Sequence, residues 1–326
     1  MICPGCLKES EEGYCTKCRK ELFDGKKVSS VLSFNSPYEE DSEAFLDHTK
    51  KISISGVQVK YSLKLENNDL QLTERGGQYI LKPIPTGTFK HLDQAPANEH
   101  LTMQIAKQAF KLTVPPNALI FFKDGSPAYL VRRFDQTGNG KLQQEDFAQI
   151  AQMTSETHGE NYKYDLSYEE IAKLIKQYIP TYRIENEKFF RLILFNYVFS
   201  NGDAHLKNFS AIQSAQGDYV LTPVYDLLCT RIHSPNESDM ALTLFKDRFS
   251  KTHEAYGFYT YQDFYEFGQL IGIKESRVKK IIAEFTAPNE LVHSLIDRSF
   301  LNDEIKKVYR RHNEDKVRRL GSITLV

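Results

Sequence analysis

Two polar residues that lie five positions apart, Asp203 and Asn208, form the pattern with the most chemical content in this sequence. An aspartate carboxylate can accept the proton of an attacking hydroxyl, and an asparagine oxygen can hold a metal ion that offsets phosphate charge. A loop of this length lets both side chains point into one cleft. The pattern therefore predicts a site that transfers a phosphoryl group to a hydroxyl.

A second aspartate, Asp226, follows Asn208 by 18 residues, and the segment 212–221 between them predicts a hairpin that turns at Gly217-Asp218. An Asp-x-x-x-x-Asn loop followed by a metal-binding aspartate is the arrangement of protein-kinase catalytic loops. The usual Phe-Gly does not follow Asp226. Without the hairpin and Asp226, an exposed loop is the alternative interpretation of this spacing.

The preceding part of the chain contains residues suited to binding phosphate. Gly56 lies at a predicted strand–turn–strand junction, where backbone N–H groups can face phosphate oxygens. Lys82 ends the predicted strand at 79–82, in a context similar to the Val-Ala-Ile-Lys strand of kinases, and Glu99 begins the following helix. Lys82 alone could also be a lysine whose stem lies on the protein and whose ammonium reaches water.

Four of the five cysteines lie within the first 18 residues, in the pattern C-x2-C-x8-C-x2-C formed by Cys3, Cys6, Cys15 and Cys18. Two such pairs can complete a tetrahedral thiolate site, which predicts bound Zn²⁺. A closed four-cysteine site has no position open for catalysis, so we favour a structural role over nucleic-acid recognition. Cys229 stands alone and is expected to be a small buried residue.

Local patterns predict the elements that would position these residues. Asn67-Asn68-Asp69 predicts a turn between strands, and a helix is expected over Ala97–Phe110. Ser167 and Glu170 form a capping box before a helix, and Phe189–Phe199 is a strongly apolar helix. The chain therefore predicts an α+β fold with two lobes, the first rich in strands and the second in helices.

Domain boundaries follow from the same patterns. We expect a four-cysteine knuckle at 1–35, a linker at 36–49, a strand-rich lobe at 50–135 and a helical lobe at 136–326. The charges nearly cancel, with 42 Lys and Arg against 43 Asp and Glu, which argues against a nucleic-acid partner bound through bulk charge. No apolar run is long enough to cross a membrane, so a cytoplasmic location is expected.

Two further segments allow alternative interpretations. Residues 135–146 approximate a calcium-binding EF-hand loop, but Thr137 replaces a ligand at the third position and Asp146 replaces the final glutamate. We expect instead a hairpin that leads into a helix at Gln144. The segment 306–319 is basic, and a solvated terminal helix is favoured over nucleic-acid contact.

Seven short motifs, in order along residues 50–300, resemble the HipA-type serine/threonine kinases of bacterial toxin–antitoxin systems. They are Ser-Ile-Ser-Gly-Val-Gln-x-Lys at 53–60, Leu-Lys-Pro at 81–83, Asn98-Glu99, Arg133-Phe134-Asp135, Glu145-Asp146-Phe147, the segment 201–208, and Pro223-Val224-Tyr225-Asp226. The resemblance implies a bilobal, protein-kinase-like fold that uses ATP and Mg²⁺.

The resemblance also implies a role for each matching residue. Asp203 would be the catalytic base, Asn208 and Asp226 would bind Mg²⁺, and Lys82 would hold nucleotide phosphate. Ser53 and Ser55 match serines that the family autophosphorylates, and a phosphate there would compete with those of ATP. The other implied nucleotide-site residues are Ser55, Gly56, Val57, Gln58 and Lys60 in the phosphate loop, Glu99, the hinge Arg132, Arg133 and Phe134, Asp135 near the ribose, and His205, Lys207 and Tyr225.

Family members studied as toxins phosphorylate an aminoacyl-tRNA synthetase, so the implied substrate is a protein serine or threonine. Full-length toxins carry a longer N-terminal subdomain where this chain has ~50 residues with the cysteine knuckle. This resembles the split HipS/HipT arrangement and implies a small HipS-like partner, together with a HipB-like antitoxin through which DNA would be met indirectly. A second departure is Arg132, which replaces a commoner acidic residue in the hinge.

Two alternative functions stay open at this point. The first is a non-catalytic nucleotide-binding module that acts as a regulatory scaffold, although Lys82, Asp203, Asn208 and Asp226 are all present. The second is a small-molecule phosphotransferase on the same fold. The sequence does not separate it from a protein kinase, because the shape of the surface decides the acceptor.

Overall fold

The computed structural model describes residues 1–37, 59–137 and 140–321. These residues form two units, one rich in strands and one rich in helices, which confirms the predicted α+β class. Unit 1 comprises Met1–Gln136, Ile232–Ser234 and Glu290–Val308, and unit 2 comprises Thr137–Arg231, Pro235–Asn289 and the chain from Tyr309 onward. Of the predicted linker, only Ser36 and Pro37 lie within the described residues.

The sheet of unit 1 has five antiparallel strands in the order β2-β1-β3-β5-β4. The strands are β1 (Tyr61–Glu66), β2 (Asp69–Leu72), β3 (Tyr79–Pro83), β4 (Asn117–Phe121) and β5 (Pro127–Arg132). Asn67 and Asn68 join β1 to β2 with left-handed φ angles of 47° and 67°. A two-residue hairpin turn requires this conformation, and asparagine tolerates it well. The predicted turn is therefore confirmed.

Helices of unit 1 lie before, within and after the sheet segment of the chain. They are α1 (Thr16–Phe23), α2 (Ala95–Gln108), α10 (Glu290–Arg298) and the first part of α11 (Asp303–Gly321). Pro96 lies in the first turn of α2, where its missing N–H costs nothing. Residues 1–35 share one apolar core with the sheet, since Tyr14, Leu22 and Phe23 are buried among its strands.

Unit 2 contains a small sheet and most of the helices. Its strands are β7 (Gly140–Lys141), β8 (Gln144–Asp146), β9 (Ser210–Gln213) and β10 (Tyr219–Leu221), and β6 (Gln136–Thr137) lies at the boundary of the two units. Its helices are α3 (Phe147–Ile150), α4 (Ser155–His158), α5 (Tyr168–Tyr178), α6 (Tyr182–Val198), α7 (Lys251–Tyr256), α8 (Tyr261–Leu270), α9 (Glu275–Thr286) and the remainder of α11.

The helix that we expected to begin at Gln144 begins instead at Phe147, so that prediction is wrong. Gln144–Asp146 pairs with β9 in a sheet ordered β10-β9-β8. Asp146 then caps α3 by accepting a hydrogen bond from the N–H of Gln149. The backbone groups before the cap therefore bond to a neighbouring strand, which a local pattern cannot indicate.

Three other local predictions in unit 2 are confirmed. Ser167 accepts a hydrogen bond from the N–H of Glu170, whose carboxylate accepts one from the N–H of Ser167, as expected of a capping box. The predicted hairpin forms between β9 and β10, where Gly217 adopts a left-handed φ of 90°. The apolar helix predicted over Phe189–Phe199 corresponds to the second part of α6, which ends at Val198, and Phe189, Phe190 and Phe195 are fully buried.

The basic terminal helix α11 uses some of its cations inside unit 2. Lys316 is 2% exposed and lies 2.5 Å from a carboxylate oxygen of Asp239, and Arg319 pairs with the same residue. These contacts favour the structural interpretation of the segment. Across the described ranges, no helix is both long and apolar enough to cross a membrane.

Candidate active site

Two of the predicted nucleotide-site residues, the strand lysine and the helical glutamate, form a buried ion pair in unit 1. Lys82 Nζ lies 2.6 Å from Glu99 Oε1, and their side chains are 5% and 4% exposed. The ammonium also lies 5.5 Å from the centre of the Tyr129 ring. A buried charge is stable only when it is paired, so each residue holds the other in place. The pair fixes the lysine at the point where β3 faces α2.

The predicted hinge residues Arg132 and Arg133 have side chains that bind acidic groups of unit 1. Arg132 makes two hydrogen bonds to Asp24, at 2.7 and 3.0 Å, and also donates to the carbonyl of Glu21. Arg133 makes a two-pronged contact with Asp135, at 2.9 and 2.7 Å. The roles of these residues toward adenine and ribose remain predictions, as does that of Phe134.

The predicted metal ligands come together in unit 2. Nδ2 of Asn208 lies 3.4 Å from Oδ2 of Asp226, to which it donates. Oδ1 of Asn208 accepts the N–H of His205 at 3.0 Å and keeps a second lone pair. Carboxylate and amide oxygens are the hard ligands that Mg²⁺ prefers, so this donor set fits the ion.

Backbone strain accompanies this constellation. Asp226 has a left-handed φ of 55°, and Ser200, just before the loop at 201–208, has 51°. Residues other than glycine adopt this region at a cost, and functional sites are where such conformations concentrate. Asn201, the residue after Ser200, donates to the carbonyl of Asp226 at 3.4 Å and so links the two segments.

Tyr164 is a site residue that sequence reasoning missed. Its hydroxyl donates a hydrogen bond of 2.6 Å to Oδ1 of Asp203. Desolvation and this hydrogen bond raise the pKa of Tyr164, so the phenol remains a protonated donor. Tyr164 ends a 3₁₀ turn at Tyr162–Tyr164, 39 residues before Asp203. No motif links such distant positions, and the aromatic-rich segment 162–168 was the only local signal.

Glu237 is a second residue that sequence reasoning missed, and its carboxylate lies next to Gly202. Thr230 accepts the N–H of Gly202 at 2.7 Å and donates to Oε1 of Glu237 at 2.5 Å. A Cβ at Gly202 would lie 2.7 Å from both Glu237 Cδ and the Ser238 carbonyl, so only glycine fits. Burial raises the pKa of Glu237 to about 7, against the opposing effects of Thr230 and Arg231.

His205, predicted to line the nucleotide site, is 1% exposed and packs edge-on against Tyr164 at 5.3 Å. Neither ring nitrogen has a hydrogen-bond partner among the described residues. Burial lowers the pKa of His205 to about 4, although the Asp203 charge opposes this, so the ring is neutral at pH 7. It supports the loop from within, and contact with nucleotide remains a prediction.

The remaining nucleotide-site candidates divide between described and undescribed parts of the chain. The hydroxyl of Tyr225 donates to the Lys207 carbonyl at 3.0 Å and lies 2.5 Å from Ser210 Oγ. Lys60 directly precedes β1. The other phosphate-loop and autophosphorylation candidates lie outside the described residues: Ser53, Ser55, Gly56, Val57 and Gln58.

The four N-terminal cysteines have the geometry of a metal site. Their sulfur atoms all lie within 4.8 Å of one another, and those of Cys6 and Cys15 are 3.8 Å apart. Zn–S bonds of about 2.3 Å in a tetrahedron require S···S distances of about 3.8 Å. The N–H of Cys15 donates to Cys3 Sγ, an outer contact typical of thiolate ligands. Cys229, as expected, is buried.

The sequence places the chain among known proteins. Residues 52–291 match the model of the HipA-like C-terminal domain family. A Haemophilus influenzae protein named "Putative kinase" is 30% identical over 328 residues, which cover 94% of this chain and 93% of that protein. The chain belongs to the HipA-like family.

Two Sinorhizobium fredii relatives of this HipA-like chain, "Putative kinase Y4dM" and "Putative kinase Y4mE", are each 30% identical to it. The matches cover 62% and 60% of this chain but 52% and 46% of those proteins, so the chain spans about half of their length.

Two solved structures share the fold of the HipA-like chain. HipA, in the Shewanella oneidensis MR-1 complex of HipA, HipB and operator DNA, gives a TM-score of 0.60 at 21% identity, covering 82% of this chain and 63% of that one. The Helicobacter pylori proinflammatory kinase CtkA gives 0.51 at 14% identity, covering 81% and 90%. At these identities the likeness establishes the fold alone.

The hydrogen bond from Tyr164 gives a testable prediction for the HipA-like site. Replacing Tyr164 by Phe removes the donor that orients Asp203, and hydrogen bonds to charged groups contribute about 1.5–3 kcal/mol. We expect kcat for phosphoryl transfer to fall about 10-fold to 100-fold, with nucleotide affinity unchanged. The matched control is Tyr162→Phe, in the same turn. An equal loss in both variants, or a weakening of nucleotide binding instead, contradicts the orienting role.

Proposed function

We propose that this HipA-like chain is an ATP-dependent serine/threonine protein kinase. The observation that carries the proposal is the arrangement within unit 2, where one short loop presents Asp203 and Asn208, and Asn208 contacts Asp226. Tyr164 fixes one oxygen of Asp203, which leaves Oδ2 to face an incoming hydroxyl. A general base and a pair of oxygen ligands are the parts that phosphoryl transfer requires.

In this proposal, Oδ2 of Asp203 accepts the proton of a serine or threonine hydroxyl while the hydroxyl oxygen bonds to the γ-phosphorus of ATP. The bond from that phosphorus to the β–γ bridging oxygen breaks, and ADP leaves. Asn208 and Asp226 hold Mg²⁺, which neutralises charge on the transferring group when bound. The relay from Gly202 through Thr230 to Glu237 fixes the backbone next to the base. Fixed positions of this kind lower the barrier because little reorganisation accompanies the reaction.

The nucleotide is assigned to the residues that the sequence singled out. Lys82, held by Glu99, pairs with phosphate, and the loop at 53–60 supplies backbone donors. The hinge at 132–134 receives adenine, with Asp135 near the ribose, and His205, Lys207 and Tyr225 complete the set. Phosphorylation of Ser53 or Ser55 switches the enzyme off by competing with the phosphates of ATP.

Partners and location follow from family likeness. The HipA of the Shewanella complex is bound to HipB and operator DNA, and we infer a HipB-like antitoxin and indirect contact with DNA for this chain. A toxin role, a HipS-like partner, a translation component such as an aminoacyl-tRNA synthetase as substrate, and a cytoplasmic location belong to the same proposal. So do the domain boundaries at 35, 49 and 135, and Zn²⁺ at the four cysteines.

The experiment that tests the activity is incubation of the purified chain with γ-labelled ATP, Mg²⁺ and a bacterial lysate. We expect label on protein serine or threonine, and its loss in Asp226→Asn, because that change removes a metal-binding carboxylate. Asp218→Asn, an exposed substitution in the β9–β10 turn, is the matched control and should keep full activity. Label only on small molecules indicates the phosphotransferase alternative, and nucleotide binding without any transfer indicates the scaffold.

A further inference from the structure

The four-cysteine module, defined as residues 1–35, contacts both elements that supply the Lys82–Glu99 pair. Lys82 lies on β3, and the hydroxyl of Tyr79 on the same strand donates to the Leu22 carbonyl of the module at 2.7 Å. Glu99 lies on α2, which contacts the module through His100, Lys107 and Gln108. The module is therefore placed to influence the distance between the lysine and its partner.

Three contacts attach the module to α2. Gln108, the last residue of the helix, donates to the carbonyl of Cys6 at 2.8 Å, and Lys107 pairs with Glu21 at 2.6 Å. His100, the neighbour of Glu99, is 1% exposed, and its Nε2 lies 3.4 Å from the carbonyl of Gly5. Both carbonyls, those of Gly5 and Cys6, belong to the first cysteine knuckle, so α2 contacts this knuckle directly.

The sheet is attached to the same loop. The N–H of Leu119 on β4 donates to the Pro4 carbonyl, and the hydroxyl of Tyr14 donates to the Leu119 carbonyl, both at 2.9 Å. Gly5 is pressed against the second knuckle, because a Cβ there would lie 2.7 Å from Cys18 Sγ. The two knuckles, α2 and β4 therefore meet in one tightly packed region.

A metal ion bound by the four cysteines would join the two knuckles. A segment of about 35 residues is too short to form a core of its own, and small cysteine-rich segments acquire their fold only when metal binds. The apolar residues that the module contributes to unit 1, Leu22, Phe23 and Leu32, are at most 3% exposed. Without metal, the sheet still covers these apolar side chains, whereas the two knuckles that contact α2 and β4 lose the ion that joins them.

We propose that Zn²⁺ bound by Cys3, Cys6, Cys15 and Cys18 clamps helix α2, so that metal occupancy sets the position of Glu99 against Lys82 and through it the affinity for nucleotide. The effect on α2 is independent of the proposed function, whereas the effect on nucleotide affinity rests on it. A coupling between two sites of a protein commonly changes affinity by about 5-fold to 150-fold.

The test begins with metal analysis of the purified chain, which should contain one zinc per chain. Zinc is then released with a mercurial and a chelator, both are removed, and Mg²⁺ is restored. We expect faster amide hydrogen exchange in residues 95–108 and a 5-fold to 150-fold rise in the Kd of a non-hydrolysable ATP analogue. A chain that binds no zinc when zinc is supplied, or a zinc-free chain with unchanged exchange in this helix, overturns the proposal.

A variant that keeps the metal makes the test independent of unfolding. The double change Lys107→Gln and Gln108→Ala removes two attachments and leaves the cysteines intact, so zinc should be retained while exchange in α2 accelerates. Lys8→Ala, an exposed change within the module, is the matched control and should alter neither. If amide hydrogen exchange in α2 is equal in the double variant and in Lys8→Ala, the proposal that the module clamps this helix is refuted. If the zinc-loaded chain binds no nucleotide, the proposed function fails, and the exchange data still decide the clamp.

Discussion

Asp203→Asn is expected to lower kcat for phosphoryl transfer by about 100-fold to 10,000-fold, the range in which a general base contributes. The amide has nearly the shape of the carboxylate, and its oxygen can still accept the Tyr164 hydroxyl. It cannot take up the proton of an attacking hydroxyl. The change therefore removes the chemistry and leaves the loop in place. Single-turnover transfer of labelled phosphate measures the effect.

Nucleotide affinity provides the internal control for Asp203→Asn, since the proposed Mg²⁺ ligands and Lys82 are untouched. The Kd of the Mg²⁺ complex of a non-hydrolysable ATP analogue should change by no more than about twofold, which corresponds to less than about 0.5 kcal/mol of binding free energy. Asp165→Asn, an exposed substitution next to Tyr164, should behave as the unmodified chain. If Asp203→Asn retains a third or more of the activity of the unmodified chain, Asp203 is excluded as the general base.

Glu99→Gln is expected to lower the free energy of unfolding by about 3–5 kcal/mol, the cost of leaving one member of a buried ion pair without its partner charge. The lysine and the glutamate are 5% and 4% exposed, so water cannot replace the lost carboxylate. Urea denaturation followed by exchange or fluorescence within unit 1 measures the change. Nucleotide affinity should fall as well, because Lys82 loses the group that positions it.

The matched control for Glu99→Gln is Glu275→Gln in α9, where the glutamate pairs with Lys279 at the surface. The side chains of Glu275 and Lys279 are 53% and 55% exposed, and surface ion pairs of this kind contribute about 0–1 kcal/mol to stability. The same substitution thus removes the same charge in two environments. If the two variants lose the same free energy of unfolding, burial does not make the Lys82–Glu99 pair contribute more than a surface pair.

Much of the fold was predictable because short-range chemistry determines it. Asn67 and Asn68 give the turn their left-handed conformation, and Ser167 caps its helix through Glu170 three residues later. The contact of Asn208 with Asp226 was also foreseeable, since a hairpin between them must return the chain. In each instance the decisive contact lies within one element or across one connection.

Contacts between distant parts of the chain were not predictable. Tyr164 reaches Asp203 across 39 residues, and Tyr14 reaches Leu119 across 105. The side chain of Arg132 binds Asp24, 108 residues earlier, and the motif that contains Arg132 does not indicate this partner. Periodicity describes which face of an element is buried and says nothing about which element covers it. The pairing of Gln144–Asp146 with β9 escaped prediction for the same reason.

The position of the cysteine module in the chain has a consequence for protein synthesis. The strands that cover Tyr14 and Phe23 end only at Arg132, 97 residues after the module is complete. At about 5–20 residues per second, a ribosome needs about 5–20 s to make them. During this interval four thiols and several aromatic rings lack their final neighbours. The proposed Zn²⁺ would bind the four thiols during this interval, so without zinc the first segment would meet chaperones and proteases before the sheet exists.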